Sequence, residues 1–382
     1  MYRIFQGDDL IYAPNLADQG YAVKEPVLTL EINKAGTLVF TMPPNNKMFD
    51  RIDLLKGLIL LYKNDEVVWH GHPVSVEDTF FNWKKVTCNG ALDFLHDTLW
   101  RPRAMTGVDV PAYTIAEFLV ARHNSVKTNE PSKLINLSQD SDHPWTGTIE
   151  TRNPYWVDWE NNLSMFQSLL NDFGGYVRCD YNGVGTDMIV SDISGETIDQ
   201  TIEFGKNLLD LNRYIDVSSI YTAVIPLGRR YPTTERYATR AERPVITNDP
   251  AIEQYGYVER TFILEEYTNL VNIDAPAREF LQQGIIGAMT LDIKAIDLSV
   301  LNLNLDEFKA GVYVPIKSFV HGLDTTILCY SSKHHLDDPK SNEYSFGSPD
   351  KKYTDQVFER FVETKRTTND LDTKITLVEE TT

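Results

Sequence analysis

The sequence has little cysteine and no long apolar run. Three cysteines, Cys88, Cys179 and Cys329, stand far apart, and an odd number at wide spacing indicates neither a disulfide framework nor a zinc finger. No window approaches about eighteen consecutive apolar residues, so no transmembrane helix is predicted. The first residues also lack the apolar segment of a secretory signal. We therefore expect neither Sec export nor membrane insertion, and synthesis in a reducing compartment.

Positive charge is scarce as well. Lys and Arg number 36 against 55 Asp and Glu, and the formal net charge is −19. A protein that grips nucleic acid needs a basic face, because contacts with phosphate supply most of its affinity. Specific binding of DNA or RNA is therefore not expected. An acidic surface would instead repel DNA, which suits a channel through which DNA passes without sticking.

Apolar residues are plentiful: 42% of the 382 residues are hydrophobic and 11% are aromatic. At about 100–200 residues per domain, this length predicts two to four domains. The predicted fold class is α+β and mainly β, with two small β-barrel domains, an α+β domain and a small C-terminal helical segment. The predicted domains are residues 1–97 (first barrel), 98–205 joined by 230–289 (α+β domain), 206–229 with 290–332 (second barrel) and 333–382 (C-terminal segment).

Residues 1–97 carry the period-2 alternation of half-buried strands. Alternating apolar residues at 28–32 and 38–42 flank a short turn and predict a hairpin, which Pro43 ends because proline lacks the amide donor of a ladder. Dense short strands favour a small barrel or sandwich. Further strands are predicted over residues 57–62, 66–70, 74–80 and 83–88.

Two helices and a hairpin are predicted in residues 98–205. The first covers residues 114–123, with Thr114 as N-cap and Glu117 as its capping-box partner. The second covers residues 163–173, where apolar residues form one stripe and two glycines follow as a stop signal. The hairpin turns at residues 182–183.

Residues 206–332 return to strand-like alternation, with an interruption. A domain inserted into the second barrel would explain this order. Further helices are predicted at residues 277–283 and 351–364. No fixed repeat period is visible, although the two β regions are compatible with diverged copies of one barrel. The alternating segments are residues 220–227, 290–297, 311–316 and 326–331.

Histidine pairs are the first candidates for chemistry. His70 and His72 lie two apart on a strand and share a face, but a zinc site needs a third and usually a fourth ligand, and no acid or cysteine is placed convincingly near them. Two polar strand residues are the favoured interpretation. The alternative is a pair of metal ligands.

A second cluster follows Cys329, at His334-His335 and Asp337-Asp338. Adjacent histidines on an extended chain face opposite sides, so both do not readily serve one site. The sequence signatures around catalytic cysteines are absent. A polar loop that leaves the last strand is therefore favoured over a Cys–His catalytic pair.

Aromatic residues supply the last candidate. Tyr155 precedes the run from Trp156 to Glu160, which contains Trp159 and is either a platform for a sugar ring or a staple at a helix entry. Gly183-Val184-Gly185 lacks the third glycine and the helix of a dinucleotide fingerprint and is assigned to a hairpin turn. No catalytic, cofactor-binding or metal residues are predicted, and the chain is interpreted as an architectural part.

The order of elements resembles the prophage tail hub family, also described as prophage endopeptidase tail proteins. The likeness spans about residues 25–350, and it also extends to the central hub protein of contractile-tail baseplates. Each motif alone is weak, but their order and spacing together are specific. The segments that carry it are an early hairpin followed by D-L-L-K-G at 53–57, E-V-V-W-H-G at 66–71, C-N-G-A-L-D-F-L-H-D-T at 88–98, Y-T-A-V-I-P-L-G at 221–228, Y-G-Y-V-E-R-T at 255–261, L-D-I-K-A-I-D-L-S at 291–299, A-G-V-Y-V-P-I-K-S at 310–318 and D-D-P-K-S-N-E-Y-S-F-G at 337–347.

This resemblance implies a virion protein at the tail tip of a phage with a Gram-positive host. It implies a homotrimer in which two similar barrels per subunit alternate around the axis and give a pseudo-sixfold ring. Such a ring joins sixfold tail rings to threefold tip components and gates or lines the DNA channel. The implied partners are the distal tail protein, the tape-measure protein and a tail fibre or receptor-binding protein, with DNA passing without specific binding.

The family description also raises an enzymatic alternative. Larger relatives carry a C-terminal lysin or fibre-like extension, and a chain that ends at residue 382 is expected to lack it. No catalytic residues are transferred from the family. The expectation is therefore a structural hub and not an enzyme. The alternatives are a peptidoglycan-degrading tail enzyme that uses the histidine-rich region 321–338, and a cell-wall carbohydrate-binding module that uses Tyr155, Trp156 and Trp159.

Overall fold

The structure is a computed structural model, and it divides into two compact units. Unit 1 comprises Met1–Asn212 and Asp292–Phe346, and unit 2 comprises Arg213–Leu291 and Gly347–Thr382. The helix predicted at residues 351–364, and most of the one at 277–283, lie outside the described residues. The structure describes residues 1–16, 18–100, 103–105, 110–149, 155–157, 159–192, 195–215, 220–228, 245–263, 277–278, 281, 289–300 and 305–347.

The fold is α+β and mainly β, as the sequence predicts. The four-domain division with its boundaries stays a prediction. The strands are β1 (Tyr2–Gln6), β2 (Asp9–Tyr12), β3 (Lys24–Glu31), β4 (Thr37–Met42), β5 (Ile59–Lys63), β6 (Glu66–Asp78), β7 (Lys84–Gly90), β8 (Arg103–Met105), β9 (Val110–Pro111), β10 (Ile135–Gln139), β11 (Thr148–Ile149), β12 (Tyr155–Val157), β13 (Tyr176–Tyr181), β14 (Thr186–Ser191), β15 (Ile202–Glu203), β16 (Leu208–Ile215), β17 (Ala223–Leu227), β18 (Ile246–Thr247), β19 (Glu259–Ile263), β20 (Met289–Ala295), β21 (Tyr313–Ser318), β22 (Leu323–His335) and β23 (Glu343–Gly347).

The helices lie between these strands. None in the described part of the chain is long and apolar enough to cross a membrane. The α-helices are α1 (Ala112–Val126), α2 (Asn162–Phe173) and α3 (Asp249–Tyr255). The 3-10 helices are Gln19–Tyr21, Ala91–Asp97, Pro131–Lys133, Leu298–Val300, Phe319–His321 and Pro339–Ser341.

Helix α1 begins earlier than predicted, and the predicted N-cap at Thr114 is wrong. Pro111 holds the cap position with no side-chain cap bond, and the Ala112 amide donates to the Gly147 carbonyl at 2.8 Å. That backbone bond satisfies one of the free amides that a capping side chain usually serves.

Helix α2 confirms its prediction. The Asn161 side chain accepts from the Ser164 amide at the helix start, and Gly174 ends the helix at a φ of 67°. This positive φ is the region that favours glycine.

Strands from both ends of the chain share one large sheet. It has 13 strands, with the path β16-β20-β23-β22-β3-β4-β7-β6-β5-β1-β2, and β21 pairs with β22 and β15 off this path. The two β regions of the sequence are therefore joined in a single sheet. Below, module 1 denotes β1–β7, and module 2 denotes β15, β16 and β20–β23.

Strand β6 corrects the sequence prediction in one respect. The sequence predicts separate strands at residues 66–70 and 74–80, but β6 runs without a break from Glu66 to Asp78. A register shift between Pro73 and Ser75 marks a β-bulge in its pairing with β7. Such a bulge accommodates a proline within a sheet.

The core of module 1 is built from alternate residues of its strands, as the period-2 pattern predicts. One member, Leu336, comes from module 2. The buried residues are Ile4, Ile11, Tyr12, Leu28, Leu38, Phe40, Met42, Met48, Ile59, Leu61, Trp69, Val86, Cys88 and Leu336.

Between the modules in sequence lies an α+β region. Strands β10, β14 and β13 form a sheet in which β10 and β14 are parallel. Helices α1 and α2 pack with these strands around a common core that includes Phe94, Leu119, Phe166 and Met188.

Unit 2 has its own small sheet. It has the order β18-β17-β19, with β17 and β19 parallel. Its buried core contains Tyr221, Val224, Ile246, Ala277 and Leu281.

Candidate functional site

The two modules meet where β22 pairs antiparallel with β3. Residues 331–335 pair with residues 27–31, and His334 lies opposite Leu28. The Ile32 amide donates to the Tyr330 carbonyl at 3.0 Å. The Leu336 amide donates to the Pro26 carbonyl at 2.9 Å and extends the ladder beyond β22. The joint is therefore a continuous run of main-chain hydrogen bonds.

An apolar side chain anchors this joint. Leu336, directly after β22, is 5% exposed and packs into the core of module 1. Burying a leucine side chain contributes about 1.5–3 kcal/mol. The main-chain ladder is thus reinforced by one side chain that belongs to module 2 in sequence and to module 1 in packing.

Buried polar groups lie on the module 2 side of the joint. His334 Nε2 is 3.0 Å from Ser332 Oγ, and the His334 ring meets the Tyr344 ring edge-on at 5.8 Å. Ser332 Oγ accepts from the Ala310 amide at 3.2 Å. Burial lowers the pKa of His334, and the nearby Glu307 and Asp297 carboxylates oppose the shift. The imidazole is therefore held neutral inside the protein near pH 7.

One ion pair links the modules. Lys63 Nζ on β5 is 2.7 Å from Glu307 Oε2, with both side chains mostly buried. Burial and the Glu307 carboxylate raise the pKa of Tyr2 on β1. The charge of Glu307 therefore acts on two strands of module 1, and the contact contributes to a fixed orientation of the modules.

The two modules repeat one arrangement of strands. Module 1 has the sheet order β1-β5-β6-β7-β4-β3, and module 2 has β15-β21-β22-β23-β20-β16. Apart from β2, which has no counterpart among the described strands of module 2, the strands correspond one to one and follow the same order along the chain. The first pair differs in direction, because β1 is antiparallel to β5 whereas β15 is parallel to β21.

The central strands of the modules also share a bulge. Both β6 and β22 have 13 residues. The pairing of β6 with β7 shifts between Pro73 and Ser75, and the pairing of β22 with β23 shifts between Cys329 and Ser331. The bulge aligns Pro73 with Cys329 and fixes the correspondence of the residues that follow.

A hydrogen bond beside the bulge repeats as well. The Leu55 amide donates to the Pro73 carbonyl at 2.8 Å, and the Gly311 amide donates to the Cys329 carbonyl at 2.7 Å. Both donors have a positive φ, 62° at Leu55 and 98° at Gly311. Positive φ is uncommon outside glycine, so its presence at corresponding positions strengthens the equivalence.

The first histidine pair, His70 and His72, lies on β6. The ring centroids of His70 and His72 are 6.3 and 5.1 Å from the ring centroid of Phe94. The shared face predicted for His70 and His72 is therefore present. His70 Nε2 is 2.8 Å from Thr186 Oγ1, and His72 Nε2 is 3.2 Å from Asp93 Oδ2. Among the described residues, no group of three or more His, Cys, Asp or Glu could hold a metal ion.

The second histidine cluster is split by the strand, as predicted from its extended geometry. The predicted polar loop after the last strand is wrong for the histidines, because both belong to β22 and β23 follows. His334 is buried at the joint, whereas the His335 amide donates to Asn342 Oδ1. Asp338 accepts from Ser341 in the following turn, and Asp337 is exposed. Burial raises the pKa of the Cys329 thiol, the opposite of the shift that activates a nucleophilic cysteine.

The aromatic run is only partly described. Tyr155 and Trp156 lie on β12, which pairs with β8, and their side chains lie outside the described residues. Trp159 is exposed, with a φ of 51°.

The Gly183-Val184-Gly185 segment is a hairpin turn, as predicted. Asn182 Oδ1 accepts from the Gly185 amide at 2.8 Å, and Gly183 has a φ of 94°.

The sequence reasoning missed the joint residues themselves. Lys63, Glu307 and Ser332 carried no motif. Leu336, between a histidine pair and an aspartate pair, gave no clear signal either, since a single leucine in a polar segment is often exposed.

Comparison with known proteins supports the resemblance. Residues 196–357 match the profile of the family described as prophage endopeptidase tail. No curated protein sequence matches the chain.

Solved structures share the fold. The 43 kDa tail protein of prophage MuSo2 from Shewanella oneidensis has a TM-score of 0.62 at 11% identity, covering 91% of this chain and 97% of that protein. Prophage tail protein gp18 from Listeria monocytogenes EGD-e has a TM-score of 0.60 at 14% identity, covering 96% and 99%. The tail protein from Neisseria meningitidis MC58 has a TM-score of 0.62 at 12% identity, covering 91% and 96%. The resemblance drawn from the sequence is thus confirmed: residues 196–357 carry a prophage endopeptidase tail domain, and the chain has the fold of prophage tail proteins.

Proposed function

We propose that the chain is a structural component of a phage tail and forms a trimeric hub at the tail tip. Each copy would contribute two similar modules, so that three copies give six similar positions around one axis. The repeated strand order in the two modules carries this proposal. A ring of this kind matches sixfold tail rings on one side and threefold tip components on the other, because a heterologous interface closes after a whole number of copies.

Rigidity at the joint supports the same role. A part that transmits force along a tail needs a fixed angle between its modules. The main-chain ladder, the buried Leu336 and the ion pair of Lys63 with Glu307 each restrict that angle. A buried polar joint is a device for specificity of arrangement more than for raw stability.

The proposed partners follow from this position. The ring would contact the distal tail protein and the tape-measure protein, and a tail fibre or receptor-binding protein at the tip. DNA would pass through the channel without specific binding, helped by the net charge of −19. An enzymatic role receives no support from the Cys329 region, where the thiol is buried and its pKa is raised.

Light scattering on the full-length chain tests the proposal. The expected mass of the assembled species is three times the 43.6 kDa of the chain. A chain that stays at its single mass over the whole accessible concentration range, or assembles as a dimer, would contradict the trimeric hub. Cell-wall zymography serves as a second arm, in which clearing abolished by alanine at both His334 and His335 would favour the enzyme instead.

A further inference from the structure

Within the described residues, β6 and β16 each have an edge that pairs with no strand. Inside the chain, β22 of module 2 pairs with β3 of module 1, and the equivalents of these strands are β6 and β16. In the described part of the chain, β16 pairs with β20 on one side and with no strand on the other. Beyond Gly71, β6 pairs with β7 on one side, and no described strand lies on the other.

The open edge of β6 is the counterpart of the edge that β3 covers on β22. With Pro73 aligned to Cys329 by the bulge, Val76 corresponds to Ser332 and Asp78 to His334. Backbone groups of an antiparallel strand point alternately to its two neighbours. The groups of Val76 and Asp78 are therefore directed to the open side, where an unpaired edge is a template for another strand.

The most exposed aromatic residue of module 1 lies at the end of this edge. Phe80 is 96% exposed, and it follows Asp78 by two residues as Leu336 follows His334. Leu336 is buried in the core of the other module. The corresponding position after β6 thus carries a large apolar side chain that the described residues leave exposed. Such a residue at the centre of an interface is a typical anchor.

We propose that β6 of one copy pairs antiparallel with β16 of the next copy, and that Phe80 packs against module 2 of that copy. A second copy is the occupant because the same pairing already joins the modules within the chain, through the equivalent strands. The pairing between copies then alternates around the ring with the pairing inside each copy. This inference rests on the proposed trimeric ring and specifies the contact that closes it.

The register follows from the same equivalence. Ser345 on β23 donates to Asp292 on β20 across the strands at 2.8 Å. In module 1, the equivalent of Ser345 is Thr87, which is opposite Val39 on β4. The ion pair of Lys294 with Glu343, two residues along each strand, supports the same register. Asp292 therefore corresponds to Val39.

The position on β16 is inferred by taking β16 and β20 as an antiparallel pair without a bulge. The Ile296 amide donates to the Asn207 carbonyl at 2.9 Å, and counting from this contact sets Leu211 opposite Asp292. Leu211 therefore corresponds to Val27 of β3, which is opposite Val39. The next residue, Asn212, corresponds to Leu28.

Leu28 is the residue that pairs with His334 inside the chain. Since Asp78 corresponds to His334, the proposed pairing sets Asp78 of one copy opposite Asn212 of the next. Directly opposed residues of antiparallel strands have Cα atoms about 4.5–5.5 Å apart, within the range that a disulfide spans.

The test is a cross-link between copies of the full-length chain carrying Asp78→Cys and Asn212→Cys. Oxidation should give covalent species of up to three chains on a non-reducing gel. The control pair is Asp65→Cys with Asn212→Cys, since Asp65 is exposed at another hairpin tip of module 1. Neither the control pair nor either single variant of the first pair should give a ladder.

Light scattering on the same samples distinguishes a failure of the β6–β16 contact from a failure of the trimeric ring. A three-chain mass with no ladder, or with an equal ladder in the control pair, would overturn the β6–β16 contact and leave the ring standing. A single-chain mass at every concentration would contradict the ring and the contact together. A three-chain mass with a ladder only for residues 78 and 212 supports both.

A second variant tests the anchor without new thiols. Phe80→Ser should raise the concentration for half-assembly by at least about tenfold. Phe81→Ser is the matched control, since Phe81 is also exposed and contacts Phe80 at 5.2 Å. Both variants should melt like the unassembled parent chain. Equal assembly of the two variants would contradict the anchor role.

Discussion

Modules 1 and 2 have the same strand order but different hairpin tips. In module 1, the turn between β5 and β6 is polar, at Asn64 and Asp65, and the turn between β6 and β7 exposes Phe80 and Phe81. In module 2 the order is reversed, because Phe319 is exposed between β21 and β22. The two modules therefore share their strand pairing and differ in the side chains that their tips expose.

The largest expected difference in the free energy of unfolding is between alanine substitutions at two corresponding residues, Leu336 and Phe80. Leu336→Ala should lower the free energy of unfolding by about 2–5 kcal/mol, because it removes a buried side chain and leaves a cavity in the core of module 1. Phe80→Ala should leave that free energy unchanged within about 0.5 kcal/mol, since the side chain is exposed. Urea unfolding of the dissociated chain measures both, and equal losses would contradict the packing.

The buried histidines of the two central strands, His70 and His334, should make the free energy of unfolding depend on pH. Burial lowers the pKa of His70 from 6.5 to about 4. Between these values the unfolded chain binds more protons than the folded chain, so the free energy of unfolding falls as the pH drops from about 6.5 to 4. The expected loss from this group is on the order of 3 kcal/mol.

His70→Gln should remove this part of the pH dependence. His334→Gln should change the pH dependence in the same direction, because burial also lowers the pKa of His334. Urea unfolding at several pH values between 4 and 7 provides the measurement. An unchanged slope in His70→Gln would show that His70 is not held neutral.

The two residues with positive φ beside the bulges provide a third contrast. Gly311→Ala should lower the free energy of unfolding by about 1–2 kcal/mol, because a side chain is strained at a φ of 98°. Leu55→Gly should raise it by up to about 1 kcal/mol, because it relieves the same strain at an exposed position. Thermal and urea unfolding of both variants measure these changes. A lower free energy of unfolding for Leu55→Gly would show that the backbone at Leu55 is not strained.

The smallest expected effect is the coupling between Lys63 and Glu307. A double-mutant cycle with Lys63→Met and Glu307→Gln should give about 1 kcal/mol, falling as salt rises. The control cycle uses the exposed pair of Arg3 and Asp65, where coupling near zero is expected. Equal coupling in the two cycles would mean that burial at the joint adds nothing.

Local patterns made much of this fold predictable. Alternation gave the hairpin of β3 and β4, and the apolar stripe with its glycine stop gave α2. The start of α1 was missed because its amide is satisfied by Gly147, a residue 35 positions away in sequence. The continuity of β6 through Pro73 was missed, because the bulge that accommodates this proline depends on the neighbouring strand.

The joint could not be predicted in the same way. The pairing of β22 with β3 joins residues about 300 positions apart, and register at that distance is set by tertiary packing and not by local propensity. The shared face of His70 and His72 was predictable from strand geometry, but their partners Thr186 and Asp93 were not. The equivalence of the modules likewise emerged from strand order, without any visible sequence repeat.

Projection images of the assembled chain along its symmetry axis test the central claim most directly. Three chains with two equivalent modules each should give six similar lobes, joined alternately by the β22–β3 pairing inside a chain and the β6–β16 pairing between chains. A ring of three unequal two-lobed subunits, without continuous density between β6 and β16, would contradict the equivalence of the modules. So would an assembly of two or four chains.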